Sequence, residues 1–294
     1  MSNHTPVLLQ EILEYLQLTT DQIVVDATLD GGGHAKAIAD ACPGIKILGI
    51  EWDPSLARTF FTRHPELLGI VEVINDSYEN LKKICDNKSV SPDRILFDLG
   101  LSSLHYEESG RGFSFLRDEP LDMRFNPETT AETAGHILNN ATREELTKIL
   151  SDFGEEQFAG QIAAAVAIAR RTAPLRTTRE LADLINSAVP EWYRHRKIHP
   201  ATKTFQALRI AVNHELENIS KGIDAALSAL KSGGRILVVS FHGLEDKIVR
   251  EKFKEAVKNK IAQWVTRQTI RPTWEEIKKN PRARSAKLKI IEKL

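Results

Sequence analysis

Four short apolar runs punctuate the first hundred positions of the chain, at 23–27, 46–50, 70–74 and 94–99. Each is an unbroken stretch rich in Ile, Val and Leu rather than an alternation of apolar and polar positions, which is the pattern of strands covered on both faces. Segments with helical spacing lie between them, so the order predicts parallel βαβ units and a doubly wound α/β sheet. A fifth run of the same kind, RILVVSF at 235–241, follows only after about 135 residues, far more than a crossover helix needs. A last strand candidate, 287–292, closes the chain.

The long interval is not of low complexity and reads mostly as helix. Residues 157–171 are Ala-rich and favour helix, and Phe205, Leu208, Val212, Leu216 and Ile219 recur at steps of three and four. These patterns place a mainly helical domain, 108–199, inside a discontinuous sheet domain made of 1–107 and 200–294, with 200–219 returning the chain to the sheet.

Composition narrows the class. With 294 residues, 41% of them hydrophobic, the chain can bury a full core, which excludes disorder as its main state. Forty Lys and Arg balance forty Asp and Glu, but from Lys247 onward there are fifteen basic residues against five acidic ones, so the C-terminal segment is basic. The two cysteines, Cys42 and Cys85, make neither a disulfide framework nor a zinc spacing, which fits a reducing compartment. No basic segment followed by an apolar one opens the chain, and no apolar run approaches the roughly 18 residues of a membrane span. The expectation is a cytoplasmic protein with no membrane contact.

The candidate chemistry sits at the ends of the predicted strands. After the first comes DATLDGGGH, residues 26–34, where three glycines allow a sharp turn and close approach of backbone to a ligand. In an open α/β sheet this loop lies at the carboxyl edge, where ligands bind. About 20 residues on, the second strand ends at Glu51-Trp52-Asp53, which puts carboxylates where a nucleoside ribose presents its hydroxyls. A dinucleotide fingerprint fits poorly, because Lys36 occupies the place of the third glycine. S-adenosylmethionine has no pyrophosphate and needs only the close backbone approach and the ribose carboxylate. A plain strand-to-helix turn is the alternative for the glycines, and Trp52 is assigned to the core. The fourth strand ends at Asp98, whose carboxylate can accept from an amine, either that of the cofactor or the one being methylated. Its alternative is a capping Asp in a strand-to-loop turn.

With these segments in view, the chain resembles the ribosomal RNA small subunit methyltransferase H family. The likeness is carried by HTPVLL (4–9), DATLDGGGH (26–34), DLGLSS (98–103), RGFSF (111–115), PLDMRF (120–125), HPATKTFQALRIAVN (199–213), SFHGLEDKIV (240–249) and NPRARSAKL (280–288), which span nearly the whole chain in order. The resemblance implies a Rossmann-like class I methyltransferase that uses S-adenosylmethionine to methylate the N4 amine of a cytidine in 16S rRNA of the small ribosomal subunit. It further implies cofactor contacts at Gly32, Gly33, His34, Asp53, Tyr78, Asp98 and His105; Glu51 joins them from the ribose argument. Asp98 is the candidate catalytic residue. The chain departs from the family pattern at Asp30, where glycine is usual, at Tyr78 for phenylalanine, at His105 for glutamine and at Gly243 for serine. Asp tolerates left-handed backbone better than most residues and can keep the turn at 30.

A base in folded RNA has to leave its stack before its amine can reach a methyl group in a cleft. Arg170, Arg171, Arg176, Arg179, Arg194, His195, Arg196, Lys197, His199 and Lys203 in and beside the insert, and Arg267, Arg271, Arg282, Arg284 and Lys287 in the tail, are candidates to track phosphates. Solvated surface charge is the alternative for each. His242, Glu245 and Asp246 read as a helix start more than as an acid or base. His4, Thr5 and Pro6 are candidates to close over the cleft, with helix capping as the alternative. The histidines form no metal spacing, and no metal is expected in the chemistry. The rivals are a non-catalytic RNA-binding or ribosome assembly factor and a nicotinamide-dependent oxidoreductase. The oligomeric state is left open, a homodimer included.

Overall fold

Continuous apolar strands seek cover on both faces, and the computed structural model, described here for residues 6–294, supplies it. Seven strands, β1 (Ile23–Asp26), β2 (Lys46–Glu51), β3 (Val71–Asn75), β4 (Arg94–Asp98), β5 (Arg235–Ser240), β6 (Ala262–Trp264) and β7 (Lys287–Lys293), form one sheet in the order β3-β2-β1-β4-β5-β7-β6. The first five are mutually parallel; β7 enters antiparallel to β5, and β6 antiparallel to β7. Five of the six expected strands are therefore parallel, the closing one is reversed, and the three-residue β6 went unread.

Helices α1 (Leu9–Leu16), α2 (Gly33–Ala41), α3 (Pro54–Arg63) and α4 (Leu81–Asn87) alternate with the first four strands. One face of the sheet, through Val24, Ile47, Leu96 and Leu237, packs with Ile12, Leu16, Ile38 and Phe60. The other, through Val25, Leu48, Ile95, Phe97 and Val238, packs with Leu81, Ile84, Ile219, Ile223, Val249 and Phe253. Neighbouring strand residues thus serve opposite cores, the period-two consequence of the pleat. The two cysteines are buried and free. No helix among the described residues is long and apolar enough to cross a membrane.

The chain divides into two compact units, one through Ser102 and again over Leu216–Leu294, the other Ser103–Glu215. The second holds α5 (Ser103–Glu107), α6 (Ala134–Asn140), α7 (Arg143–Gly154), α8 (Ala159–Ala169), α9 (Thr178–Ala188), α10 (Glu191–Arg194) and α11 (Ala201–Asn213); α12 (Glu215–Ala229), α13 (Gly243–Lys258) and α14 (Trp274–Lys279) follow. This unit is wider than 108–199 because the apolar face read across 205–219 is two helices. His214 adopts a left-handed conformation, φ 49°, and ends α11, which stays with α7 in the helical unit. Their approach is so close that a side chain at Gly154 would meet the Lys203 carbonyl at 2.6 Å.

Irregular chain between α5 and α6 is held by residues of the recognised motifs. Asn213 Nδ2 donates to the Met123 carbonyl at 2.7 Å, and its Oδ1 accepts from Phe125 N at 2.7 Å. Arg111 donates to the carbonyls of Arg124 and Phe125, both at 2.8 Å. Buried backbone without a regular ladder needs such partners.

Candidate active site

Three adjacent parallel strands each end in an acid: Asp26 closes β1, Glu51 β2 and Asp98 β4. Because the strands are parallel and in register, the three carboxylates share the carboxyl edge. The turn from β1 into α2 adds Asp30 at φ 48° and Gly32 at φ 79°. Asp30 thus occupies the left-handed region that glycine favours, and an acid stands there at modest conformational cost. A side chain at Gly32 would lie 2.7 Å from the Phe60 ring and 2.9 Å from His64, and one at Gly33 would lie 2.7 Å from Pro6. The glycines therefore let the loop close onto the protein's own neighbours, which the ligand argument alone did not foresee. His64 Nε2 secures the turn at 2.6 Å from the Gly31 carbonyl.

Asp26 is buried, with Oδ1 accepting from Thr28 N at 3.3 Å and Oδ2 without a partner among the described residues. Burial, then repulsion from Asp98 and Glu51, holds its carboxyl well above the usual range. Burial, with repulsion from Glu51, Asp98, Asp26 and Asp53, does the same to Asp30. Asp98 is pushed up to about 7, by burial first and by Glu245 second. Its Oδ1 has no hydrogen-bond partner among the described residues. A buried carboxylate lacking a partner is costly, and several together are a place prepared for positive charge.

His34, at the first turn of α2, is buried and bridges two elements. Its Nε2 lies 3.1 Å from the Val7 carbonyl and its Nδ1 lies 3.5 Å from Asp98 Oδ2. A carbonyl only accepts, so Nε2 carries a proton. Attraction on the other side requires a further proton between Nδ1 and the carboxylate. Asp98 is in this way approached through one oxygen, while the other has no hydrogen-bond partner among the described residues.

Asp53 is the N-cap of α3, accepting from Ser55 N at 2.8 Å, while its own N donates to Glu51 Oε1 at 2.7 Å. Glu51 ends β2 beside Asn75, which donates from Nδ2 to the Glu51 carbonyl at 2.7 Å. The two carboxylates predicted for a ribose are therefore joined through one turn. Tyr78 is half-buried after β3, its ring edge-on to Phe97 at 5.6 Å. His105 belongs to the helical unit, where its buried ring packs against Phe113 at 5.3 Å and Phe125 at 5.2 Å, which stack on each other at 5.6 Å. Sequence reasoning missed Asp26 and treated Asp30 only as a turn residue; the signal was present, since both acids flank the turn in DATLDGGGH.

Elsewhere, several basic residues have internal tasks. Arg170 donates to the Leu138 carbonyl at 2.8 Å, Lys203 to the Glu155 carbonyl at 2.7 Å, and Arg194 to the Val189 carbonyl at 3.1 Å, each tending a helix end. Lys287 pairs with Asp246 at 3.1 Å. His242 and Glu245 form a capping box at the start of α13, so the helix-start reading describes them. Of the N-terminal group, His4 and Thr5 lie outside the described residues, and Pro6 packs against Gly33.

The fold and site define a class, a Rossmann-like methyltransferase whose donor is S-adenosylmethionine, and the acid cluster fits that donor. Its sulfonium and ammonium are cations, and Asp26 Oδ2 and Asp98 Oδ1 have no hydrogen-bond partner among the described residues. The chain belongs to the MraW methylase family, whose model matches residues 1–294. Proteins named ribosomal RNA small subunit methyltransferase H are similar over full length. The one from Persephonella marina is 39% identical, covering 100% of both chains. The one from Dictyoglomus thermophilum is 42% identical, over 99% of this chain and 97% of the other. A solved rRNA methylase from Streptococcus thermophilus aligns with a TM-score of 0.46 at 13% identity, covering 100% of this chain and 99% of that one.

Proposed function

We propose that this methyltransferase modifies the N4 amine of a cytidine in 16S rRNA of the small ribosomal subunit, in the cytoplasm. The reading is supported by the names of the full-length relatives. The observation that carries the chemistry is Asp98, held at the tip of β4 by His34 with one carboxylate oxygen lacking a partner among the described residues. In this reading Gly32, Gly33, His34, Glu51, Asp53, Tyr78 and His105 serve the donor with Asp98, and the helical unit, 103–215, holds the RNA.

S-adenosylmethionine supplies an electrophilic methyl group when bound. The protein's part begins with the target amine, a weak nucleophile because its lone pair is delocalised into the ring. Asp98 accepts a hydrogen bond from that amine and favours the pyramidal geometry in which the lone pair can attack. Holding amine and methyl in line supplies most of the remaining advantage. The proton released after transfer passes to Asp98 or to water.

The test is methyl transfer to small subunits that lack the modification, followed by nucleoside mass analysis. Wild-type protein should yield N4-methylated cytidine. A methyl group on another atom or another nucleoside would overturn the assignment, and binding of subunits with no transfer at all would favour the assembly-factor reading.

A further inference from the structure

We propose that residues 191–199 of the helical unit form a stacking platform for an unpaired nucleotide of the RNA, with Trp192 as the surface on which the base lies. The proposal rests on the rRNA reading and adds a recognition element that the reading does not contain. Large aromatic side chains are normally covered, yet Trp192 is 59% exposed. It is nevertheless rigidly mounted. Its ring meets Tyr193 at 5.7 Å and Phe158 at 5.8 Å, both edge to face, and those two rings meet each other at 4.9 Å. Tyr193 is buried in turn, and its hydroxyl donates to the buried Glu156 at 2.8 Å. A base stacking here would find a plane already fixed, with little side-chain entropy left to lose.

Charge selects the partner. Residues 194–199, Arg-His-Arg-Lys-Ile-His, are all exposed. The only acid in 191–199 is Glu191, 3.9 Å from His195. The guanidinium of Arg196 lies 5.0 Å over the Tyr193 ring, an arrangement that fixes its plane without using its N–H edge. Ring and cations side by side are the two parts of single-strand recognition: stacking for the base and positive charge for the phosphate beside it. A protein groove would be served by the exposed aromatic and by Ile198, but not by three cations against one acid.

The experiment uses the full-length protein, a labelled single-stranded RNA oligonucleotide and unmodified small subunits, with the variants Trp192→Ala and Trp192→Phe. Trp192→Ala should weaken oligonucleotide binding roughly tenfold. It should raise KM for subunits by a similar factor with kcat at saturation within about twofold, because no reacting atom is touched. Trp192→Phe should recover most of the loss, and donor binding and melting temperature should not move. Replacing Arg196 and Lys197 by Ala should flatten the dependence of log K on log salt by about 1.4, roughly 0.7 for each phosphate no longer neutralised. Unchanged RNA binding and KM in Trp192→Ala would overturn the proposal. So would a loss confined to ribosomal proteins stripped of RNA, which would make this a protein-docking surface. Absence of methyl transfer by wild-type protein would instead overturn the rRNA reading, while oligonucleotide binding still decides the platform.

Discussion

The tips of the sheet and the body of the helical unit treat buried polar groups differently. In the helical unit several are paired, although Thr204 Oγ1 has no hydrogen-bond partner among the described residues. Arg209 and Glu215 form a two-pronged bridge at 2.7 and 2.9 Å and Asn213 is bonded through both ends of its amide, while at the surface Thr142 and Thr177 begin α7 and α9 with complete capping boxes. At the strand tips, Asp26 and Asp98 each keep an oxygen with no partner among the described residues, and repulsion among the acids adds to burial. What distinguishes the strand tips is that their incompletely bonded groups are acids crowded together, so that charge as well as burial is unrelieved there. Clustered acids with perturbed proton affinity, rather than an isolated unpaired hydroxyl, mark the region suited to chemistry.

The sharpest way to break the contrast is Asp98→Asn, which keeps the shape and removes the charge. Turnover should fall by about 10² to 10⁴, with the melting temperature unchanged or higher. Burial, and Glu245 after it, push the Asp98 carboxyl up to about 7 in the free protein. The carboxylate is the accepting form, so kcat/KM should decline as pH falls through that value, and the decline should vanish in the variant. The donor's cations favour the ionised acid, so the same limb in kcat should lie lower in pH. Retention of near-normal turnover, or of the pH limb, in Asp98→Asn would remove the assigned role.

The paired region should answer a similar change with lost stability. Arg209→Ala removes the two-pronged bridge to the buried Glu215 and should destabilise the protein by about 3–5 kcal/mol, read as a fall in denaturant midpoint. Donor affinity of the folded fraction should be retained. A variant that kept full stability would show that the pair is replaceable by water and that the contrast between the regions is weaker than their hydrogen bonding suggests.

How far the sequence foretold this architecture follows the same physics. β1 to β5 were legible because strands buried on both faces must be continuously apolar, and the acids were legible because parallel strands put their carboxyl ends together. β6 was not: AQW at 262–264 is too short to show a period. The reversal of β7 was hidden too, since an apolar run carries no direction. The division at 215 was missed because Phe205 to Ile219 keeps a helical period across two helices, and the break rests on one left-handed histidine, His214, where no glycine or proline marks it. At the site, residue types were readable but their satisfaction was not. That Gly33 accommodates Pro6, or that one oxygen of Asp98 lacks a partner among the described residues, depends on residues distant along the chain or on a neighbouring strand, which no local pattern records.

The smallest and most discriminating change is Asp30→Gly, which keeps the left-handed turn and removes the carboxylate. Asp30 has its carboxyl raised by burial and by four neighbouring acids. A raised acid contributes stability that is present below its unfolded value, near 4, and is lost as pH rises through its folded value. Near pH 4 and below, wild type and variant should therefore differ only by backbone terms, where glycine loses chain entropy but gains at a positive φ. At pH 8 wild type bears the repulsion and the variant does not. The donor-free variant should therefore be more stable than wild type at pH 8, a gap that closes on acidification. The sign should reverse for binding: removing a carboxylate should weaken S-adenosylmethionine more than its uncharged thioether product, by calorimetric titration. Equal losses for both ligands, or a stability difference independent of pH, would mean that Asp30 merely makes the turn and that the surplus of negative charge at the strand tips does not select a cation.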